Sequence, residues 1–193
     1  MGKFRVPASN WSRAWRRCPS TVSDVFPENP GLEHVLRAAQ GWYELGLSDD
    51  AERELASMPA QAQLAPEVLK LRFHVARSRK RPEEALVVAQ QLIERTAEEM
   101  WGWLYRSQAL HWLGRTTEAF DLLLPVRRSW PKAFEIPYDL ACYCAQSDRL
   151  DDARTWFSKA MALTKNQSAV KSMALNDPDL QPLWAEIVGG RLE

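Results

Sequence analysis

Apolar residues recur three and four positions apart along most of the chain, and short polar breaks interrupt this pattern. That spacing places apolar side chains on one face of a helix, so the pattern predicts a series of amphipathic α-helices. Four of the breaks share one layout, with the sequences LGLSDDAEREL (45–55), RKRPEEALVVA (79–89), LGRTTEAFDLL (113–123) and SDRLDDARTWF (147–157). Their alanines, Ala51, Ala85, Ala119 and Ala153, are evenly spaced along the chain. A constant period of this length predicts a repeated structural unit.

Each unit has two helical stretches separated by the break, which predicts a repeated αα-hairpin. The residue five positions before each alanine is Gly46, Lys80, Gly114 or Asp148, and glycine suits a helix end that turns into the left-handed conformation. An acidic residue precedes every alanine, where negative charge favours the start of a helix. The alanine itself is expected to face the preceding helix, because a larger side chain would push the two axes apart.

The second helix of each unit has its own apolar stripe, which we expect to be buried. The stripe consists of Leu55, Ala89, Leu123 and Phe157, followed three residues later by Met58, Leu92, Val126 and Ala160. Pro125 lies within this helix in the third unit. Because proline removes a backbone donor, we expect it to bend the helix.

These features resemble the tetratricopeptide repeat, whose period matches the spacing of the four alanines. The clearest unit has a large residue early in its first helix (Trp103), Leu113-Gly114 at the hinge, Ala119, and a closing proline (Pro131). The resemblance covers four units, residues 32–65, 66–99, 100–133 and 134–167. It implies an all-α fold, a right-handed superhelical solenoid of helix-turn-helix repeats. Residues 168–193 are expected to form a pair of capping helices, since a terminal unit cannot bury its own apolar face.

The resemblance also implies a function in binding proteins. Repeats of this family curve so that their first helices line a concave groove, which accepts a peptide or a helix of a partner protein. Assembly factors and chaperones are examples of this role. The residues expected to line the groove are Tyr43, Lys70, His74, Arg77, Trp101, Tyr105, Gln108, His111 and Tyr138. The alternatives are that some of these aromatic residues only pack between repeats, or that the protein is structural and forms homo-oligomers through its terminal or groove surfaces.

One known ligand of the family does not fit this groove. Its best known clamp uses lysine, asparagine and arginine to bind a chaperone's C-terminal carboxylate. Lys70 matches the leading lysine, but His74 replaces the asparagine and Tyr105 follows in the next unit. The final basic pair is replaced by Glu135 and Asp139, whose charges would repel a carboxylate.

The charge balance argues against nucleic-acid and membrane partners. The chain has 25 basic and 25 acidic residues, so it lacks the field of a polyanion-binding protein. No apolar run is long enough to span a membrane. Residues 1–31 are different, with five Lys or Arg against two acids. They are expected to be a loosely held basic tail, or a short helix with Trp11 and Trp15 on one side that folds back onto the groove.

The sequence contains no pattern that indicates an enzyme. There is no glycine-rich phosphate loop, nucleophile elbow or paired-carboxylate motif, so we expect no catalytic residues and no cofactor. His74, His111 and Cys142 could meet across the groove as a metal site, but zinc ligands usually show tighter local spacing, so we predict no metal. The odd number of cysteines and the absence of a secretory signal favour a reducing, cytoplasmic location.

Overall fold

The computed structural model describes residues 25–190, which form ten α-helices and two 3-10 helices and contain no strand. The α-helices are α1 (Pro30–Glu44), α2 (Ser48–Ala56), α3 (Pro66–Ser78), α4 (Pro82–Arg95), α5 (Met100–Trp112), α6 (Thr116–Val126), α7 (Glu135–Ala145), α8 (Leu150–Leu163), α9 (Gln167–Ala174) and α10 (Trp184–Val188). The 3-10 helices are Ala62–Leu64 and Pro178–Leu183. The predicted all-α class is confirmed for this range.

The described residues divide into two compact units. Residues 25–109 are called the first unit below, and residues 110–190 the second unit. Residues 1–24 of the predicted basic tail, including Trp11 and Trp15, lie outside the described residues. The last two residues of that predicted segment, Pro30 and Gly31, begin α1.

The four hinges have the same backbone conformation. Gly46 and Gly114 have φ angles of 79° and 76°, and Lys80 and Asp148 have φ angles of 57° and 58°. The left-handed turn predicted from glycine is therefore confirmed at Gly46 and Gly114, and the structure shows the same turn at Lys80 and Asp148. At each hinge the next amide donates to the carbonyl five residues earlier at 2.9 Å, and the pairs are Leu47–Trp42, Arg81–Ala76, Arg115–Leu110 and Arg149–Cys144. This closure satisfies carbonyls that a helix end would otherwise leave without a donor.

The same residues that close one helix begin the next. The amides of Ala51, Ala85, Ala119 and Ala153 donate to the carbonyls of Leu47, Arg81, Arg115 and Arg149 at 2.9–3.0 Å. All four alanine side chains are completely buried, as predicted. Because each alanine stands in the first turn after a hinge, its small size allows the two helices of a hairpin to approach closely.

In three of the four hairpins, the acidic residue before the alanine pairs with the arginine that precedes the second helix. Arg115 contacts Glu118 at 2.7 Å, Arg149 contacts Asp152 at 2.7 Å, and Arg81 contacts Glu84 at 3.4 Å. Exposed pairs of this kind contribute at most about 1 kcal/mol each. They orient the start of the helix, while the buried alanine and the apolar stripe supply most of the packing.

Within each unit, consecutive helices pack as hairpins. In the first unit α1 packs on α2 and α3 on α4, and in the second unit α7 packs on both α6 and α8. The predicted apolar stripe is buried except for Val126, which is partly exposed.

Pro125 lies inside α6, one residue before its end. The second helices α4 and α8 end at Arg95 and Leu163, which both correspond to position 129 in the third unit. Helix α6 ends earlier, at Val126, and α2 ends at Ala56, which corresponds to position 124. Pro125 lacks the amide that would donate to the carbonyl of Asp121, and after the helix the Arg128 amide donates to the Pro125 carbonyl at 3.1 Å.

The C-terminal segment covers the apolar face of the second unit. Leu180 and Leu183 of the second 3-10 helix are completely buried, and Ile187 of α10 is 3% exposed. The indole of Trp184 donates to the carbonyl of Ala174 at 2.8 Å. Pro182 lies inside the 3-10 helix. Across residues 25–190, every helix is too short or too polar to cross a membrane.

The buried alanines generate a stability prediction. We expect Ala153→Leu to lower the free energy of unfolding by about 1–3 kcal/mol, because the larger side chain overpacks the hairpin. Ala162→Leu, on an exposed position of the same helix, is the matched control and should change it by less than about 0.5 kcal/mol. Urea denaturation measures both values, and equal effects would contradict the close-packing role of Ala153.

The hinge at Lys80, which is not a glycine, generates a second stability prediction. Replacing Lys80 by glycine should raise the free energy of unfolding by about 0.5–1 kcal/mol. Relief of the left-handed conformation gains about 1–2 kcal/mol, and the greater freedom of unfolded glycine offsets part of it. Lys80→Ala removes the same side chain but keeps Cβ, so it should give no gain. A loss of stability in Lys80→Gly would show that the hinge is not strained.

Candidate functional site

The predicted groove residues are distributed over both units. Seven of them lie on α1, α3 and α5 of the first unit, namely Tyr43, Lys70, His74, Arg77, Trp101, Tyr105 and Gln108. His111 and Tyr138 belong to the second unit. All except Trp101 are 9% exposed or less, and Trp101 is partly exposed.

In the first unit, the aromatic members of the set form one contact cluster. The His74 Nε2 atom lies 3.0 Å from the Tyr105 hydroxyl, and the Tyr105 ring is stacked on Phe73 with ring centres 4.1 Å apart. The ring centre of Tyr43 lies 6.1 Å from that of His74. The ring centre of Trp101 lies 5.9 Å from that of Tyr105. The structure therefore brings together four predicted residues from three first helices, and it adds Phe73, which was not predicted.

The imidazole of His74 acts in this cluster as a neutral group. Its burial, together with the positive charge of Arg77, holds the pKa of His74 well below its ordinary value. At neutral pH the ring therefore contributes hydrogen bonding and aromatic contact, not charge.

The positive charge of Lys70 is paired within the first unit. Its Nζ atom lies 2.9 Å from a carboxylate oxygen of Glu99 and 3.7 Å from one of Glu67, and its side chain is 5% exposed. A buried cation needs such partners, because an uncompensated charge away from water is very costly. Glu99 precedes α5 in a loop, so helical periodicity gave no signal for it.

Gly102 allows α5 to lie close to α4 and was also missed. A Cβ atom at this position would lie 2.7 Å from the Ile93 side chain and 2.9 Å from its backbone nitrogen. No larger residue fits without displacing backbone, so Gly102 sets the position of α5, and thereby of its neighbour Trp101.

In the second unit, the two predicted residues join the C-terminal segment to the helices. The Tyr138 hydroxyl donates to Asp177 at 3.0 Å, and the imidazole of His111 lies 3.2 Å from Asp179 and 2.9 Å from the Thr116 hydroxyl. Asp177 also caps the 3-10 helix, because its other oxygen accepts the Asp179 amide at 3.1 Å. Neither aspartate was predicted, since both lie in a polar break far along the chain from their partners.

The electrostatics of this network favour its protonated forms. Burial, reinforced by the neighbouring Asp179 carboxylate, raises the pKa of Asp177 to about 6. Burial, and then the charge of Asp177, also raises the pKa of Tyr138 and of the Cys142 thiol well above their ordinary values. Cys142 is therefore a protonated, unreactive thiol at neutral pH.

Two groups of side chains in the described residues bear on the chemistry of this site. No three histidine, cysteine, aspartate or glutamate side chains between residues 25 and 190 are placed to hold a metal ion. Thr116, His111 and Asp179 form a hydroxyl–imidazole–carboxylate chain, an order also used in acyl-transfer enzymes. Here the imidazole is 4% exposed and links the start of α6 to the 3-10 helix.

Comparison with known proteins identifies no relative, since no protein-family model and no curated protein matches the sequence.

The raised pKa of Asp177 predicts a pH-dependent difference in stability. Its folded-state pKa lies above the unfolded value near 3.9, so the folded state binds more protons between about pH 4 and pH 6. The contribution of Asp177 is therefore fully present below about pH 4 and is lost as the pH rises through 6. Asp177→Asn removes the charge and resembles the protonated acid, because its oxygen can still accept the Asp179 amide while its NH2 group can donate to the Tyr138 hydroxyl. It should match the wild type near pH 4 and exceed its unfolding free energy by about 2–3 kcal/mol at pH 7.

Chemical denaturation at several pH values measures this difference. Glu98→Gln neutralises an exposed carboxylate of the first unit and should show no such trend. A constant difference between Asp177→Asn and the wild type from pH 4 to pH 7 would contradict the raised pKa.

Proposed function

We propose that this chain is a non-enzymatic protein-interaction module of four tetratricopeptide-like repeats that binds a peptide or helix of a partner protein. The observation that carries the proposal is the repeated hinge, with a left-handed residue and a buried alanine at equal intervals along the chain. Hairpins of this kind, stacked in the same way, build a right-handed solenoid whose first helices line a concave face. Function then depends on the side chains of those first helices.

The polar character of the first helices supports a recognition role. Lys70, His74 and Arg77 lie on α3 and are at most 6% exposed. A face that served only for packing would be apolar, because buried polar groups stabilise a structure only when they are hydrogen-bonded. Polar and aromatic groups held by fixed partners are suited to select a ligand by its hydrogen bonds and its shape.

Trp101 is the residue of this set on which the proposed contact centres. It is the most exposed of the predicted residues, and its ring leans on Tyr105, which is itself fixed by Phe73 and His74. A partly exposed tryptophan held by buried neighbours offers a large area at little cost in entropy, which is typical of binding hot spots. Tyr138, in contrast, is completely buried, so we propose no direct ligand contact for it.

The test compares two tryptophans of one helix. Trp101→Ala should reduce recovery of the bound partner at least tenfold in quantitative affinity capture from native lysate, since truncation of an aromatic hot spot costs about 2 kcal/mol or more. Trp103→Ala is the matched control. Trp103 lies two residues away on another side of α5, where its indole donates to the Ala97 carbonyl at 3.1 Å. The Trp103→Ala variant should lose stability but should still retain the bound partner.

If Trp101→Ala and the wild type recover equal amounts of the partner, the proposed binding role of Trp101 in the groove is wrong. Circular dichroism and thermal unfolding of both variants separate a loss of binding from a loss of fold. The partner recovered by the wild type is then identified by mass spectrometry and tested as a purified protein.

A second candidate is self-association, favoured by an apolar surface at the first hinge. Trp42, Leu45 and Leu47 are 39%, 72% and 43% exposed. At the position of Leu47 the other three hinges have arginine. Exposed apolar residues that lie together are typical of an interface. Sedimentation velocity over a concentration series decides the matter, since a chain that stays monomeric excludes this candidate.

A further inference from the structure

Two segments of the second unit contain basic residues and no acidic residue. They are residues 122–134, with Arg127, Arg128 and Lys132, and residues 155–176, with Lys159, Lys165 and Lys171. The chain as a whole has equal numbers of acids and bases, so two such segments in one unit are a marked segregation of charge.

The fold brings these segments to the same end of the second unit. Residues 127–134 connect the end of α6 to the start of α7, and α7 and α8 pack as a hairpin. The C-terminal half of α8 therefore lies beside the connection that follows α6. Trp156 of α8 joins the two, because the Arg127 guanidinium lies 5.5 Å and the Lys159 ammonium 4.1 Å from its ring centre.

Five of these cations are not neutralised within the part of the chain that the structure describes. No carboxylate of residues 25–190 lies within 4.0 Å of Arg127, Arg128, Lys132, Lys159 or Lys165. The hinge end of the same unit is different, since Arg115, Arg149 and Arg154 all form ion pairs.

We propose that this basic end, formed by Arg127, Arg128, Lys132, Lys159 and Lys165, is a docking surface for a short acidic segment of a partner protein. Carboxylates of aspartate and glutamate would neutralise the unpaired cations, and the tryptophan holds two of the cations in place before binding. Restricting long side chains in advance lowers the entropy lost on association. This surface uses none of the residues of the proposed groove, so the two functions are tested separately.

The surroundings of the basic end favour a peptide over a nucleic acid. Glu135 at the start of α7 lies directly after the first basic segment, and Asp151 and Asp152 lie at the other end of α8. A nucleic-acid strand carries a regular row of charges that would extend past the cations towards these acids. A short acidic peptide would end within the patch.

Fluorescence anisotropy with the full chain provides the test. The probe is a fluorescein-labelled decapeptide of glutamate, and a glutamine decapeptide is the uncharged control. We expect saturable binding of the glutamate peptide that weakens as salt is added, and no binding of the glutamine peptide. Arg128→Glu and Lys159→Glu should each weaken the binding two- to fivefold or more, and the double variant about tenfold.

Matched variants separate docking from stability. Arg115→Glu reverses an exposed cation at the hinge end of the same unit and should leave the affinity unchanged, as should Trp101→Ala in the first unit. If the basic residues only stabilise the C-terminal ends of α6 and α8, Arg128→Glu and Lys159→Glu will lower the melting temperature without changing the affinity, and the proposal fails. It also fails if a single-stranded oligonucleotide or a phosphatidylserine vesicle binds more tightly than the peptide.

Discussion

The structure depends on how the chain reverses direction at the hinge. One residue in the left-handed conformation allows the next amide to reach the carbonyl five residues back, and the carbonyl of that next residue starts the following helix. Backbone groups at a helix end need partners, and here both helices obtain them within one short stretch of chain. The reversal is thus made by backbone hydrogen bonds, and side chains refine it. Lys80 and Asp148 can therefore replace glycine, at a cost of about 1–2 kcal/mol each.

A tight hinge has a consequence for packing, because it forces the first turn of the second helix against the helix before it. Only a small side chain fits there, and alanine is found in all four hairpins. Gly102 reflects the same constraint between hairpins, since a Cβ atom would collide with Ile93 of the preceding helix. Close approach of backbones in this chain is thus obtained by small residues at a few defined positions. The remaining positions can vary, which explains how hairpins with such different surfaces share one geometry.

Charge is the second organising feature, and burial decides how each charged group behaves. Lys70 is buried and held by carboxylates, while burial depresses the pKa of His74 so that its ring remains neutral. In the second unit, burial and a neighbouring carboxylate raise the pKa of Asp177 until it titrates near neutral pH. Buried polar groups that are satisfied in this way favour one arrangement of helices over others, because any shift would leave a polar atom without its partner. The cations around Trp156 differ from these buried groups, because no carboxylate of the described residues pairs with them. In our proposal, the acidic groups of a partner protein pair with them instead.

The sequence by itself determined the local geometry. The repeat period, the four hinges, the buried alanines and nearly all of the apolar stripe follow from residues a few positions apart, and short-range hydrogen bonds and periodicity are enough to specify them. Only the tertiary structure decided which side chains meet and which remain exposed. Glu99 reaches Lys70 from the loop before α5, and Asp177 reaches Tyr138 from the C-terminal segment. Contacts of that kind depend on the position of whole helices, so no local pattern predicted that eight of the nine groove residues would be buried.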